Sequence, residues 1–442
     1  MTPIVRYAPS PTGRIHLGNA RPALLNWFYA KANGGQFVLR MDDTDVARST
    51  REFADAIEAD LSWLGVRPDS LVRQSERTQM YDAARDRLMA AGRLYPCYET
   101  GDELDRRRKR ARALGNPPIY DRAALRLTDE DRVGLEAEGR RPHWRFKLDG
   151  RPVQFNDLIK GPQTVNTASM SDPVLVREDG SYLYTLPSVV DDIDLGITHV
   201  IRGEDHVSNS GTQIEIFEAL GGKVPDFAHH NLLTDAEGQG FSKRLGSLSL
   251  SDLRTQGYEP MAVAIMAVLT GTSLPIEPYS SFAEIGEKLD LSMISHGSAR
   301  FDPAELDSLN ARILHAMPYA DAKPRLEATG LADEAMWNLL RDNLHKFDDI
   351  RELSKLVTGP VAPVIAAEDR EFITQARELL PEEPWDNDTW SEWTNALKEN
   401  SGRKGKSLFL PLRLALTGRS DGPELKFLLA LVGRKACLDR LL

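Results

Sequence analysis

The sequence predicts an α/β protein built on a parallel, doubly wound sheet, followed by an all-helical C-terminal region. A short apolar segment at Ile4-Val5 leads through a Pro-Ser-Pro-Thr-Gly turn into an amphipathic helical pattern. Strand and helix patterns alternate to about residue 85 and resume near residue 188, as expected for two halves of one sheet. From Phe301 onward, apolar residues recur at helical spacing almost without interruption.

The first helix is predicted from apolar residues three and four positions apart and from the glycine pair that ends it: Leu17, Ala20, Leu24, Leu25, Phe28, Ala32, Gly34 and Gly35. His16 stands at the start of this helix. Unpaired backbone N–H groups and the positive end of the helix dipole favour a phosphate there. His16 is therefore a candidate for stabilising a triphosphate, and a solvated histidine in an ordinary turn is the alternative.

A second candidate segment lies past the middle of the chain. A glycine-rich polar run over 235–240 is followed directly by Ser242, Lys243 and Arg244. Backbone of this composition carrying two cations suits a lid that closes on phosphates, whereas a basic pair on a glycine loop by itself indicates a surface turn. The pairing of this segment with His16 favours the first interpretation.

The intervening segments divide the chain further. Between about 86 and 187 the pattern changes to charged helix and short strands such as His143–Leu148, which indicates an insertion into the sheet. The sheet then resumes with a strand at His199–Arg202 and a helix at Gln213–Leu220. The predicted organisation is therefore 1–85 and 188–236 as the two halves of the first domain, 86–187 as an insertion, 237–300 as a loop and helical segment, and 301–442 as a helical domain.

Composition agrees with a globular, multi-domain protein. At 442 residues the chain exceeds one usual core, so we expect roughly two to four domains. It has 41% hydrophobic and 27% charged residues, and its two cysteines, Cys97 and Cys437, give no disulfide framework and suit a reducing cytosol. The first residues lack the apolar core of a signal peptide, and the longest apolar run, Met261–Leu269, is too short to span a bilayer. These features predict a cytoplasmic protein.

Positive charge is concentrated in two runs. The net charge of -11 would repel a large polyanion if it were spread evenly. The densest basic run is Arg106–Arg112, and a second covers Arg403–Lys406. Each run is either a nucleic-acid contact or a solvated helix face or tail, since charge alone leaves both interpretations open.

Short sequence motifs along the chain resemble those of the class I aminoacyl-tRNA synthetases, and among these the bacterial glutamyl-tRNA synthetases. His16–Asn19 is similar to the HIGH signature of the class, and Phe241–Arg244 is similar to its KMSKS loop. Five further motifs are similar to motifs of the family and follow one another in the same order: Ala8–Gly13, Leu39–Asp45, Val189–Asp192, Gly196–Asp205 and Arg413–Gly418.

This resemblance implies a fold and an activity. The fold is a Rossmann-type parallel sheet, an inserted α+β domain that binds the tRNA acceptor end, a helical segment that contacts the stem, and an all-α domain that binds the anticodon. The activity is ATP-dependent activation of L-glutamate to glutamyl-adenylate, with Mg²⁺ neutralising the phosphates and pyrophosphate leaving. Glutamate is then transferred to the 3'-terminal adenosine of tRNA(Glu), by resemblance at its 2'-hydroxyl.

The resemblance also implies the roles of individual residues. His16 and Lys243 are the expected catalytic residues, and the ATP site comprises His16, Gly18, Asn19, Glu204, Asp205, Ser242, Lys243 and Arg244. The glutamate site comprises Arg6, Ala8, Ser10, Asp42, Tyr184, Ser188 and Arg202. The tRNA contacts are Arg106, Arg107, Arg108, Arg110, Arg403 and Lys404.

Two of these assignments have a structural alternative. Arg6 follows a buried strand, where a guanidinium needs an anion, but a protein carboxylate could supply that anion as well as a substrate. Tyr184 lies in an apolar string where most aromatic residues are core residues.

The chain departs from the family pattern at several positions. Gly240 stands where the loop normally opens with lysine, Asp42 stands where many relatives carry glutamate, and Ser188 stands where asparagine is common. Cys97 is one cysteine where some relatives have a Cys-x-Cys zinc site, and no second cysteine is near it in the sequence. Since a structural zinc site needs four ligands, we expect no zinc and no other metal site.

Three alternatives to a glutamyl-tRNA synthetase remain: a glutaminyl-tRNA synthetase, a short tRNA-modifying paralogue, and a catalytically decayed tRNA-binding paralogue. The helical pattern after Phe301 argues against the first, the length of 442 residues against the second, and the presence of His16 and Lys243 against the third. The expected partners are L-glutamate and tRNA(Glu), without DNA or a membrane, and the expected state is a monomer. Charging of tRNA(Gln) stays open.

Overall fold

The structure is a computed structural model that describes residues 2–45, 47–235, 237–238, 248–386 and 388–442. It divides into two compact units. The first unit comprises Met1–Arg254 with Val263–Asp302, and the second comprises Thr255–Ala262 with Pro303–Leu442. The second unit therefore begins its main segment next to the helical boundary expected at Phe301.

The strands of the described residues, numbered β1 to β12 in chain order, are Ile4–Tyr7, Gln36–Met41, Ser70–Arg73, Leu94–Cys97, His143–Phe146, Pro152–Asp157, Gly161–Asn166, Val174–Val176, His199–Gly203, Asp226–His230, Leu233–Thr234 and Ala299–Arg300. Seven of them form the central sheet in the order β3-β2-β1-β9-β10-β6-β7. Neighbouring strands are parallel except β6 and β7, which pair antiparallel. The expected parallel sheet is confirmed.

The α-helices of the described residues, numbered α1 to α20 in chain order, are Leu17–Ala32, Arg51–Trp63, Thr78–Ala90, Gly101–Ala113, Asp129–Ala137, Thr185–Asp194, Val207–Ala219, Leu250–Thr255, Pro260–Leu269, Phe282–Lys288, Pro303–Ala316, Tyr319–Glu327, Glu334–Leu340, Ile350–Leu353, Lys355–Thr358, Arg370–Glu378, Thr389–Ser401, Lys406–Thr417, Leu425–Val432 and Arg434–Arg440.

The first helix begins and ends where the sequence predicts. Helix α1 starts directly after His16, and Gly34 follows it with a φ of 61°. A left-handed backbone at that position ends a helix and suits glycine, which has no Cβ to clash.

The segment 86–187 differs from a simple insertion. Strands β4, β5 and β8 form a separate antiparallel sheet, as an inserted domain would. Strands β6 and β7, however, extend the central sheet, because β6 pairs in parallel with β10 through Asp157 and Phe227. The central sheet therefore already includes residues 152–166, before the expected resumption at 188.

The second unit has a helical core of its own. Every regular element described in Pro303–Leu442 is helical, as expected from the spacing of its apolar residues. Its core contains two almost fully buried tryptophans, Trp337 and Trp393, packed among leucines of several helices. Nowhere in the described residues does a helix combine the length and apolar character needed to cross a membrane.

Candidate active site

A cavity of 870 Å³ lies in the first unit, at the carboxyl ends of β1, β2, β9 and β10. The sheet order makes this position the expected one for a ligand site. From β1 the chain adds β2 and β3 on one side, whereas β9 and β10 lie on the other side. Ligands of open α/β sheets bind outside the strand ends where the order reverses in this way.

The cavity brings together most of the residues that the sequence singled out. Those lining it are Arg6, Ala8, Ser10, His16, Gly18, Asn19, Asp42, Tyr184, Ser188, Arg202 and Asp205. Glu204 is not among the lining residues, and its carboxylate instead accepts a hydrogen bond from Lys160 Nζ at 2.5 Å. Gly240, Ser242, Lys243 and Arg244 lie outside the described residues, so their placement stays a prediction.

His16 marks the end of the cavity where α1 begins. Its backbone carbonyl accepts hydrogen bonds from the N–H groups of Asn19 and Ala20, which start the helix. Burial lowers the pKa of the His16 imidazole, so the ring is neutral at neutral pH. A neutral imidazole keeps one N–H donor for an anionic ligand at the helix terminus.

The residues that flank the segment 239–247 reach this same end. Gly238 lines the cavity. On the other flank, Leu248 accepts a backbone hydrogen bond from Leu17 at 3.1 Å, and Leu250 donates one to Ile15 at 2.9 Å. The described residues on both flanks of 239–247 thus lie next to the start of α1, whereas the placement of 239–247 itself stays a prediction.

Two buried arginines in the cavity are neutralised by protein carboxylates. Arg6 donates from Nε to Asp192 at 3.1 Å. Arg40 donates to both carboxylate oxygens of Asp42, at 2.7 and 3.1 Å, and to Asp192 at 2.8 Å. Arg40 also reaches the hydroxyl and the backbone carbonyl of Ser188, each at 3.2 Å. Arg6 therefore has a protein carboxylate as its partner, as the structural alternative expects.

Asp42 is a buried carboxylate on whose pKa burial and a neighbouring arginine act in opposite directions. Burial raises its pKa to about 6, although the adjacent Arg40 acts in the opposite direction. Its side chain is nevertheless part of the cavity wall, where a substrate ammonium could approach it. Protonation of Asp42 in mildly acidic solution would remove the negative charge that attracts the ammonium.

Arg202 differs from the other two arginines because its described partners are uncharged. Its Nε donates to His229 Nε2 at 3.2 Å, and its Nη2 donates to Ser210 Oγ at 2.7 Å. No carboxylate of the described residues lies within ion-pair distance of it, and burial lowers its pKa to about 10. The guanidinium remains charged at neutral pH without a direct counter-charge.

Tyr184 borders the cavity rather than the core. It is 39% exposed, and its hydroxyl accepts a hydrogen bond from Asn209 at 3.4 Å. Ser188 is buried, and its hydroxyl accepts a hydrogen bond from Arg40 while the residue also forms part of the cavity wall.

A small cluster at the start of the inserted sheet holds Cys97, Glu99 and His143. Their potential ligand atoms lie within 4.8 Å of one another. The Tyr120 hydroxyl lies 2.8 Å from Glu99 and 3.7 Å from Cys97 Sγ, so two of the three groups already have a partner. Three ligand atoms are one short of a structural zinc site, and the absence of zinc stays a prediction.

The two basic runs occupy different environments. In α4, Arg106, Arg107, Arg108 and Arg110 are all exposed. By contrast, Arg403 pairs with Asp369 and lies 4.5 Å over the ring of Phe372, whereas Lys404 is exposed. Arg403 therefore has a structural task that its neighbour lacks.

Sequence reasoning missed Arg40, Asp192 and His229 as site residues. Arg40 interrupts an apolar strand pattern, and a charged residue there signals a buried ion pair. Asp192 belongs to a sequence word that was recognised without a role for its carboxylate. His229 lies in β10, a strand that the sequence analysis did not assign.

Comparison with known proteins gives consistent matches along the chain. A family model described as class I tRNA synthetases (E and Q), catalytic domain, matches residues 4–308. A second, described as an anticodon binding domain, matches residues 313–442. Together the two models account for both structural units.

Individual relatives and solved structures match over the full length. A protein of Methylobacterium sp. (strain 4-46) named glutamate-tRNA ligase 2 is 60% identical, covering 100% of this chain and 99% of its own. Glutamate-tRNA ligase 1 of Brucella canis is 56% identical, with 100% of both chains covered. The crystal structure of a glutamate tRNA ligase from Elizabethkingia meningosepticum in complex with its amino acid has a TM-score of 0.86 at 27% identity, covering 100% of this chain and 98% of its own.

Proposed function

This chain belongs to the class I tRNA synthetases of the glutamate and glutamine type, and we propose that it is a glutamate-tRNA ligase whose 870 Å³ cavity binds glutamate and ATP. The observation that carries the choice of substrate is the set of three buried arginines in the cavity wall, Arg6, Arg40 and Arg202. Glutamate brings two carboxylates, and such a substrate requires cations in a site shielded from water.

The three arginines divide the work of binding glutamate. Arg202 has no direct counter-charge among its described partners and is the strongest attractor for one substrate carboxylate. Arg6 is bonded to Asp192 through Nε, which leaves the other nitrogens of its guanidinium for the second carboxylate. Arg40 holds Asp42 in place for the substrate ammonium. Ala8, Ser10, Tyr184 and Ser188 complete the wall.

ATP binds beside glutamate, at the end of the cavity where α1 begins. An oxygen of the glutamate α-carboxylate attacks the α-phosphorus, the bond to the bridging oxygen breaks, and pyrophosphate leaves. His16 donates to the phosphates at the helix N-terminus, and Lys243 supplies a cation from the segment that follows Gly238. Gly18, Asn19 and Asp205 line the cavity, and we assign the first two to the approach of the nucleotide and Asp205 to its ribose. The assignments of Glu204, Ser242 and Arg244 rest on the sequence resemblance.

Little covalent chemistry is required of the protein in this step. Alignment of the carboxylate with the phosphorus and stabilisation of the negative charge lower the barrier. Mg²⁺ arrives as the ATP complex and neutralises phosphate charge, and no side chain is assigned to hold it.

The tRNA is the acceptor in the second step. The all-helical second unit is proposed to read the anticodon, and the arginines of α4 and Lys404 to contact the RNA backbone. The region 86–187 is proposed to hold the acceptor end near the cavity. We further propose a monomeric protein of the cytoplasm, in keeping with two free and buried cysteines.

A glutaminyl enzyme is the alternative within the same family. The cavity argues against it, because Arg202 has no carboxylate partner among the described residues, and glutamate carries one net negative charge that offsets it, whereas glutamine carries none. A neutral amide would leave a buried guanidinium without an anionic partner, which is costly.

Charging of separately purified tRNAs tests this proposal. With [14C]glutamate, ATP and Mg²⁺, the protein should charge tRNA(Glu), and glutamine should give no product. A rate on tRNA(Gln) within about tenfold of the rate on tRNA(Glu) would identify a relaxed enzyme, and a larger gap a discriminating one, since tenfold is about 1.4 kcal/mol of discrimination. Charging with glutamine instead of glutamate would contradict the proposal.

A further inference from the structure

A chain of buried hydrogen bonds runs from Arg202 away from the cavity. Arg202 Nε donates to His229 Nε2 at 3.2 Å, and on the far side of the ring His229 Nδ1 lies 2.5 Å from Asp157 Oδ2. The His229 and Asp157 side chains are both fully buried. None of these contacts touches the cavity except through Arg202.

The direction of each hydrogen bond follows from the groups involved. Hydrogen bonds from His229 and from three backbone N–H groups outweigh burial and lower the pKa of Asp157, so it is an ionised acceptor. His229 Nδ1 must therefore carry the proton. Burial lowers the pKa of His229, so the ring is neutral and Nε2 presents a lone pair to Arg202.

Asp157 is itself fixed by the backbone. Its Oδ1 accepts hydrogen bonds from the N–H groups of Ile159 and Lys160, at 3.0 and 2.9 Å, and from the N–H of His229 at 3.1 Å. Four donors around one carboxylate leave it a single orientation, and the orientation of His229 follows from it.

Ser210 completes the support on the helix side. Its hydroxyl accepts from Arg202 Nη2 at 2.7 Å and lies 3.0 Å from His229 Nε2. Helix α7 and strand β10 thus position the same guanidinium through neutral groups.

We infer that Asp157 and His229 are positioning residues for glutamate recognition: they aim the Arg202 guanidinium into the cavity without cancelling its charge. This inference rests on the proposed function of the cavity. A carboxylate in the place of His229 would orient Arg202 equally well, but it would compete with the substrate for the positive charge, as Asp192 does at Arg6. A neutral imidazole locked in one tautomer avoids that competition.

The substitution Asp157→Asn separates orientation from folding. The asparagine oxygen can still accept from the backbone N–H groups, but its amide donates to His229 Nδ1 and shifts the ring proton to Nε2. Two N–H groups then face each other between His229 and Arg202. The KM for glutamate should rise roughly tenfold or more, because a hydrogen bond to a charged group is lost. The KM values for ATP and tRNA should stay within about twofold of the wild-type values.

Two further variants make the comparison specific. Asp226→Asn changes a largely exposed aspartate beside His199 at the opposite end of β10, and it should leave all three KM values unchanged. In an Arg202→Ala background, Asp157→Asn should raise the glutamate KM no further, because its effect passes through Arg202.

The 15N chemical shifts of His229 give an independent spectroscopic readout. The wild type should show a protonated Nδ1, and Asp157→Asn should show a protonated Nε2. A parallel rise in the glutamate, ATP and tRNA KM values, an unchanged glutamate KM, or an additive effect in the Arg202→Ala background would each overturn the inference. If the wild type fails to charge tRNA with glutamate, the proposed function fails instead, whatever the variants do.

Discussion

Three arginines of the cavity wall show how similar side chains acquire different tasks from their partners. Arg40 forms ion pairs with three aspartates, Arg6 with one, and Arg202 is bonded to an imidazole and a hydroxyl. The free positive charge therefore increases from Arg40 to Arg202. Burial makes that gradient matter, since an uncancelled charge in a shielded site attracts an anion more strongly than one in water.

Asp42 predicts a pH dependence of glutamate binding. Burial raises its pKa to about 6, so the carboxylate loses its charge as the pH falls below that value. The ammonium of glutamate then loses its counter-charge, and the KM for glutamate should rise several-fold between pH 7 and pH 5. Steady-state charging across this range provides the measurement. Asp42→Asn should raise the KM at pH 7 and remove the dependence, and a wild-type KM that stays flat to pH 5 would contradict the role.

Lys243 is the test of the phosphate site. Lys243→Ala should lose most of the ATP–pyrophosphate exchange, about 10²-fold or more, because a cation aimed at developing phosphate charge is removed. Gly240 makes the loss larger, since the lysine usual at that position is missing. Lys31→Ala, at the opposite end of α1 from His16, serves as the control and should retain wild-type exchange. Near-normal exchange by Lys243→Ala would refute its role.

At the scale of elements, local sequence signals predicted what local physics determines. Helix α1 follows from its apolar spacing and from Gly34, and β9 follows from the apolar run at its centre. The pairing of β6 with β10 could not be predicted in this way. The two strands are far apart in the sequence, and their pairing depends on the arrangement of the whole sheet. The family resemblance pointed to Arg6 and Arg202 from the sequence, whereas Asp157 and His229 could be recognised only once the pairing of β6 with β10 was known.

The contact between α7 and β7 depends on a glycine. A Cβ at Gly211 would lie 2.5 Å from Val165 Cγ1. Gly211→Ala should therefore push the helix from the sheet and lower the free energy of unfolding by about 1–3 kcal/mol, measurable by urea denaturation. Gly134→Ala, at an open position inside α5, should instead raise it by up to about 1 kcal/mol. Equal effects at the two positions would show that packing against Val165 is not tight.

At the scale of the whole molecule, two units serve one reaction. The first presents the cavity and the second has a helical core of its own, and two family models match them in turn. Because the net charge is -11, we expect RNA contacts to be confined to local concentrations of positive charge, and we propose the exposed arginines of α4 as one of them. Arg106→Ala combined with Arg110→Ala should weaken tRNA binding and reduce its salt dependence, while the KM for glutamate stays unchanged. A KM for tRNA equal to that of the wild type would exclude α4 as a contact.

The amino-acid specificity of ATP–pyrophosphate exchange in the presence of tRNA tests the central claim most directly. The cavity wall with Arg6, Arg40 and Arg202 predicts exchange with L-glutamate, none above background with L-glutamine, and a loss of glutamate-dependent exchange in Arg202→Ala. Exchange supported by glutamine, or glutamate-dependent exchange that survives Arg202→Ala unchanged, would contradict the assignment of this cavity as the glutamate-activating site.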